Sequence, residues 1–175
     1  MLLPCFILEG YGQSFALDKE TSVEDHWGIW MDNSKPDTTR LNAIHNYIWI
    51  KHLFVQPDSA YLIATEQIEF SRLKGNKNGE ADGLNLKGIS FAFRGNNEEA
   101  ISYYDSALVI FLEIGNNTGI TITYNNLGVA NSKLGDNSSA INYLNKSLTL
   151  AEATGNKQRE YACLNNLGNI YYDLN

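Results

Sequence analysis

An internal repeat with a period of 40 residues constrains the fold of this chain more than any other feature. Shifting the sequence by 40 positions superimposes the Gly-Asn pairs that begin at Gly75, Gly115 and Gly155. Other residues match in the same register: Gly88, Gly128 and Gly168; Gly95 and Gly135; Ala60, Ala100 and Ala140. A fixed period of this length is typical of repeat architectures, in which each unit is one supersecondary element that stacks on its neighbours.

Each repeat unit has the pattern of two helices. In the second unit Leu84, Gly88 and Phe91 fall at helical spacings, and a second helical run follows Gly95-Asn96 at Ala100, Tyr104, Ala107, Leu108 and Phe111. Gly95 and Gly135 suit the left-handed C-cap of the first helix, and Asn97 or Asn137 can cap the second. The Gly-Asn pairs then end each second helix. The sequence therefore predicts an all-α solenoid of helix pairs.

The residues at the helix crossings resemble the tetratricopeptide repeat, or TPR, whose pattern is W-x2-L-G-x2-Y followed by A-x3-F. The third unit has Tyr124-x2-Leu127-Gly128-x2-Asn131 and Ala140-x3-Leu144, and the fourth begins Leu164-x2-Leu167-Gly168-x2-Tyr171. The second unit departs from the pattern, because Lys87 occupies the leucine site. The 40-residue length is similar to the long-helix TPRs of kinesin light chains and Rap-type regulators. The resemblance implies a right-handed α-α superhelix of antiparallel helix pairs.

We expect the repeat array to cover residues 37–175, with units 37–76, 77–116 and 117–156 and a truncated unit 157–175. The first unit is degenerate, with Ile48 where the glycine belongs. Ahead of it, residues 21–36 are predicted to form a short capping helix that begins with the capping box Thr21-x-x-Glu24. Its two tryptophans, Trp27 and Trp30, are expected to cover the open end of the first helix pair; an external partner is the alternative.

Residues 1–20 allow two interpretations. The apolar run MLLPCFIL precedes Ser14-Phe15-Ala16, which has the small-x-small form of a signal-peptidase site, but no basic region precedes the run and Glu9 follows it at once. A signal-peptide remnant would place the chain in the periplasm or elsewhere outside the cytoplasm. The alternative is an N-terminal segment docked on the body of a cytoplasmic protein.

Charge and motif content exclude several function classes. Thirteen Lys and Arg against 20 Asp and Glu give a net charge of −7, so the basic stripe of a nucleic-acid binder is missing. Residues 47–55, the longest apolar stretch of the body, are too few to span a bilayer. Phosphate-loop, zinc-protease and nucleophile-elbow motifs are absent, and His45 and His52 would need a third metal ligand from elsewhere. We therefore predict no catalytic residues, no metal and no cofactor.

The resemblance places ligand binding on a concave groove lined by the first helix of each unit. An amide side chain has both a donor and an acceptor, so a row of asparagines can pair with the backbone of an extended peptide. The alternative is that these asparagines bond between neighbouring helices and only hold the stack. The candidate groove residues are His45, Trp49, Asn85, Phe93, Asn125, Asn126, Lys133, Asn165, Asn166 and Asn169.

The fourth unit has a first helix and no second, so part of that helix is expected to lack cover. Either the chain is a fragment of a longer array, or a homodimer forms through Leu167, Ile170, Tyr171 and Leu174. Residues 30–60, which include Asp37-Thr38-Thr39-Arg40-Leu41 and Gln56-Pro57-Asp58-Ser59-Ala60, are similar to the N-terminal sensory region of bacterial TPR-linked adenylate or guanylate cyclases and sensor histidine kinases. That resemblance implies a regulatory input module that binds a protein or extended peptide.

Overall fold

The computed structural model describes residues 22–53 and 55–174, and both interpretations of residues 1–20 concern a segment outside that part of the chain. Throughout the described residues the secondary structure is helical, as the sequence predicts. The elements are α1 (Val23–Met31), α2 (Asp37–Tyr47), a π-helical segment (Ile48–His52), α3 (Pro57–Leu73), α4 (Lys77–Phe93), α5 (Asn97–Ile114), α6 (Asn117–Lys133), α7 (Asn137–Ala153) and α8 (Lys157–Asp173).

Glycine and asparagine set the helix ends. Gly95 and Gly135 both have a φ of 82°, a backbone conformation that glycine adopts without steric cost. The predicted caps of the second helices are wrong by one residue: the caps are Asn96 and Asp136 instead of Asn97 and Asn137. In both units the residue that directly follows this glycine is the last one before the second helix begins. The carboxylate of Asp136 accepts a hydrogen bond from the Ser139 N–H at 3.0 Å.

The glycines at the helix crossings let the two helices of a pair approach closely. A Cβ on Gly128 of α6 would lie 2.6 Å from Leu144 Cγ and 3.2 Å from the Ala140 carbonyl oxygen, both on α7. A Cβ on Gly88 of α4 would collide with the Tyr104 ring of α5. Tyr104 and Leu144 are completely buried, so these large side chains fill the space that the glycines leave.

The first helix pair differs from the others at its crossing. Ile48 takes the glycine position, and there α2 continues into the π-helical segment, in which the Leu53 N–H donates to the Ile48 carbonyl oxygen at 2.9 Å. The Ile48 side chain is completely buried. Helix α2 packs more extensively on α1 than on α3, and the π-helical segment that contains Ile48 packs on α3 in its place.

Helix α1 covers this irregular end of the array. Trp30 is buried, and its ring lies edge-on to Phe70 with centroids 4.9 Å apart, which agrees with core packing of that tryptophan. The capping box forms one residue later than predicted. The Ser22 hydroxyl accepts from the Asp25 N–H at 3.2 Å, and the Asp25 carboxylate accepts from the Ser22 N–H at 2.9 Å.

Consecutive helices pack in series from α3 to α8, and this order confirms the solenoid. The first helices of the pairs, α2, α4, α6 and α8, also contact one another directly along the array, whereas the second helices do not make comparable contacts. The layer whose members lie closer together is the inner layer of a curved array. The first helices therefore line the concave face.

Candidate functional site

The middle of the concave face is closed by hydrogen bonds between asparagines. Asn126 Nδ2 of α6 donates to Asn85 Oδ1 of α4 at 3.2 Å, and Asn166 Nδ2 of α8 donates to Asn125 Oδ1 of α6 at 2.9 Å. We call these two bonds the asparagine ladder. Asn85 is 2% exposed and Asn126 is fully buried. Of the two roles that the sequence left open for these amides, the structure shows bonding between neighbouring helices.

Two cavities open on the concave face on either side of this ladder. The first, which we call the N-terminal cavity, lies between α2 and α4 and has a volume of about 290 Å³. One predicted groove residue, His45, lies in its wall. The complete lining is Thr38, Leu41, Asn42, His45, Gln67, Asn76, Asn78, Gly79 and Asp82.

The two titratable groups of the N-terminal cavity are both strongly perturbed. Burial lowers the pKa of His45 to about 4, so its imidazole is neutral at pH 7. Burial raises the pKa of Asp82 to about 7, far above the ordinary value of 3.8 for an aspartate. Asp82 Oδ2 also accepts a hydrogen bond from Asn78 Nδ2 at 2.8 Å.

The second opening, which we call the C-terminal cavity, lies between α6 and α8 and has a volume of about 110 Å³. Three predicted groove residues meet here: Lys133, Asn166 and Asn169. Lys133 and Asn169 are exposed, and the lining includes the carboxylate of Asp173. This cavity therefore offers a cation, an anion and amide groups to a ligand. Its other lining residues are Val129, Ser132, Leu144 and Ile170.

The remaining predicted groove residues lie apart from these cavities. Trp49 lies within the π-helical segment and is buried in the main hydrophobic core, which corrects its assignment to the groove surface: a large apolar ring is more stable in the core than in water. Phe93 is half-buried and packs against the same core. Asn165 is exposed on α8.

The predicted self-association set divides into two parts. Leu167 and Ile170 are 7% and 4% exposed, because they pack with Ala140 and Leu144 of α7 and are not available to a second copy. Tyr171 and Leu174 are exposed. Leu164, two helical turns before Tyr171, is exposed as well, although the sequence pattern did not predict it as part of this set. A Cβ on Gly168, between them, would have no neighbouring atom within 4 Å.

Sequence reasoning also missed Gln67 and Asp82 of the N-terminal cavity. Asp82 stands 40 positions after Asn42, which is at an inward-facing position of the first unit, so the repeat register carried a signal for it. Gln67 reaches the cavity from the second helix α3, and a search restricted to first helices does not include it.

Among residues 22–53 and 55–174, no group of three or more His, Cys, Asp or Glu side chains is arranged to hold a metal ion. Within the same part of the chain, no helix is long and apolar enough to cross a membrane. What the concave face offers is two polar cavities and the amides between them.

Comparison with known proteins agrees with this architecture. Residues 80–153 match the family model described as tetratricopeptide repeat. The fold is similar to the crystal structure of the TPR domain of Arabidopsis FLU, with a TM-score of 0.59, 21% sequence identity, and coverage of 67% of this chain and 99% of that one. Both comparisons support the tetratricopeptide repeat family. TPR domains are in general non-catalytic scaffolds for protein–protein interaction. A search of curated proteins gave no match.

Proposed function

We propose that this TPR array binds an extended peptide segment of a partner protein along its concave face. The observation that carries the proposal is the pair of polar cavities on either side of the asparagine ladder, both lined by first helices. An extended peptide can place side chains into separated pockets while its backbone crosses the surface between them. The ladder supplies a rigid floor for that crossing, because its amides are already bonded to one another.

The exposed groups of the C-terminal cavity are the ones that a peptide can reach without disturbing the helix packing. Lys133 can donate to a carbonyl or carboxylate oxygen, and Asn169 can both donate and accept. Both side chains are exposed, so their replacement leaves the core unchanged. They are therefore better test positions than Asn125 or Asn126, whose loss would also affect folding.

The test is selection of peptides from a random 12-residue library on the full chain, followed by calorimetric titration of the best binder. We expect the double variant Lys133→Ala/Asn169→Ala to bind at least about tenfold more weakly, because two polar contacts are lost. The matched control Asn145→Ala/Lys146→Ala removes the same two residue types from exposed positions of α7, outside the concave face. Equal losses in both variants, or a loss in the control alone, would contradict the proposal.

We further propose that the array is the regulatory input region of a larger bacterial signalling protein. The similarity of residues 30–60 to sensory regions that precede cyclases and histidine kinases supports this. A peptide that binds the concave face would then be the input signal. If the chain is fused to the cyclase or kinase domain of such a protein, we expect the enzymatic activity of that domain to depend on the selected peptide. The double variant Lys133→Ala/Asn169→Ala should remove this dependence.

A second candidate function is self-association through α8. The exposed row Leu164, Tyr171 and Leu174, with open space at Gly168 between them, favours it. The occupant would be the same face of a second copy, and Gly168 would allow the two helices to cross closely. Light scattering over a concentration series tests this: we expect a dimer that Leu174→Glu abolishes and that Val109→Glu, an exposed position on α5, leaves intact. A monomer at every concentration would exclude the dimer.

A further inference from the structure

The N-terminal cavity contains an acidic side chain without a basic one beside it, whereas the C-terminal cavity contains both Lys133 and Asp173. Among the described residues that line it, Asp82 is the only one that can carry a formal charge near pH 7, because His45 is neutral there. The bases close to the lining residues in the chain already have acidic partners: Arg72 and Lys77 lie 2.8 and 3.6 Å from Glu80, and Lys74 and Arg40 lie 3.2 and 3.9 Å from Asp37. The lining therefore contains an acidic group and no base to balance it.

A buried amide in the same lining has an unused acceptor. Gln67 is 1% exposed, and its Nε2 donates to the Gly79 carbonyl oxygen at 3.2 Å. Its Oε1 is buried and has no hydrogen-bond partner among the described residues. A buried acceptor without a donor is costly, so a ligand that brings an N–H group gains by supplying it.

Among the described residues, one oxygen of the Asp82 carboxylate has a hydrogen-bond donor. Asn78 Nδ2 donates to Asp82 Oδ2, and Asn78 is itself held, through its Oδ1, by a hydrogen bond from Asn116 Nδ2. One carboxylate oxygen is thus engaged. Because a guanidinium binds a carboxylate best through both oxygens, this arrangement favours a compact ammonium over an arginine.

We propose that the N-terminal cavity receives a lysine side chain of the bound peptide, with the ammonium group donating to Gln67 Oε1 and to the Asp82 carboxylate. The inference rests on the proposed peptide-binding function and adds the identity of one anchoring side chain. A volume of about 290 Å³ accommodates a four-carbon stem and its ammonium, and Leu41 gives the stem an apolar wall. The ammonium would replace the missing positive charge beside Asp82.

The test uses n-butylammonium, a lysine side chain without its backbone, as a probe of the full chain by two-dimensional NMR at pH 7.5. We expect saturable shifts of the Gln67 and Asn78 side-chain amide signals, with a dissociation constant in the millimolar range expected for so small a ligand. Butyramide and butyrate, which lack the positive charge, should produce no saturable shift at the same concentrations. The n-butylguanidinium ion, which represents arginine, should bind more weakly than n-butylammonium.

Two variants and one control test the residues named. Asp82→Asn should weaken n-butylammonium binding at least about tenfold, and Gln67→Met should weaken it by a smaller factor. Asp105→Asn, which removes one carboxylate from an exposed position of α5, should leave the binding unchanged. Equal losses in Asp82→Asn and Asp105→Asn, equal binding of butyramide, or tighter binding of n-butylguanidinium would each overturn the lysine assignment.

The outcomes separate this inference from the proposed function. If n-butylammonium gives no saturable shift while the selected peptide still depends on Lys133 and Asn169, the lysine pocket is wrong and peptide binding stands. If n-butylammonium binds through Asp82 and no peptide binds the concave face, the pocket exists and the proposed function fails.

Discussion

The middle of the concave face and its N-terminal end differ in the side chains that they place at the same positions of the repeat. In the middle, each ladder bond joins residues 41 positions apart, from Asn166 to Asn125 and from Asn126 to Asn85. One step further towards the N-terminus the corresponding positions are Leu86 and His45. A leucine side chain cannot donate, so the ladder ends there, and the N-terminal cavity with His45 in its wall lies at that end. A regular repeat therefore stabilises the array, whereas an interruption of the same register provides the site.

The largest expected effect concerns the pH dependence of stability at His45. Its pKa is about 4 in the folded state against an ordinary value of 6.5, so the unfolded chain binds the proton more tightly. The free energy of unfolding should fall by about 3 kcal/mol as the pH is lowered from 7 to 4, owing to this residue alone. His45→Asn, which restores the residue found at this register in the other units, should remove that component in urea unfolding measured across this range.

His52, seven residues later, is the matched control for His45. Its pKa is also lowered by burial, but the side chain is only partly buried. His52→Asn should therefore change the acid dependence less than His45→Asn does. An equal or larger change in His52→Asn would contradict the assignment of the acid sensitivity to the cavity.

A pair of alanine substitutions compares a helix crossing in the middle of the array with one at its end. Gly128→Ala should lower the free energy of unfolding by about 2 kcal/mol, because its Cβ would approach Leu144 and the Ala140 carbonyl oxygen too closely. Gly168→Ala should raise it by about 0.5–1 kcal/mol, since the new methyl group meets no atom and alanine favours the helix. Thermal unfolding of both variants gives the signs. A destabilised Gly168→Ala variant would show that this face of α8 is covered.

A second comparison tests the structural role of the asparagine ladder. Asn126→Ala should cost about 1–2 kcal/mol of stability, because Asn85 loses its donor inside the array. Asn165→Ala, at an exposed position of α8, should stay within about 0.5 kcal/mol of the parent protein. Chemical denaturation measures both values. Equal stabilities of the two variants would mean that the buried bonds do not hold the stack.

The stability contribution of Asp82 is expected to have the opposite pH dependence from that of His45. Its pKa is about 7 in the folded state against an ordinary value of 3.8, so the folded chain binds the proton more tightly. Stability contributed by the protonated carboxyl is therefore lost as the pH rises from about 4 to 7. Asp82→Asn, which cannot ionise, should therefore be more stable than the parent protein at pH 7, and urea unfolding measured from pH 4 to pH 7 checks the sign.

The helix ends and the helix crossings could be predicted from the sequence, because they depend on the residue type at fixed positions of the repeat. Gly95 and Gly135 adopt the left-handed conformation that their positions predict, and Gly88 and Gly128 lie at close helix crossings. A cap can shift by one residue without changing the fold, which is why Asn97 and Asn137 were reasonable but wrong assignments.

The site was harder to predict because its residues meet only through the curvature of the array. An asparagine on an inward position looks the same in sequence whether it faces a ligand or a neighbouring helix. The environment of Lys87 was also not predictable from the sequence. Lys87 takes a leucine position and is buried, with its ammonium 4.4 Å from the centre of the Tyr61 ring. The tyrosine that accommodates it lies 26 residues earlier in the chain.

Photo-crosslinking tests the central claim, that the concave face binds an extended peptide, most directly. The selected peptide would carry one benzophenone residue at each position in turn, and the adducts on the full chain would be mapped by mass spectrometry. We predict adducts on the first helices α2, α4, α6 and α8, which are suppressed by excess unlabelled peptide. Adducts concentrated on α3, α5 and α7 would place the ligand on the outer layer and contradict this account.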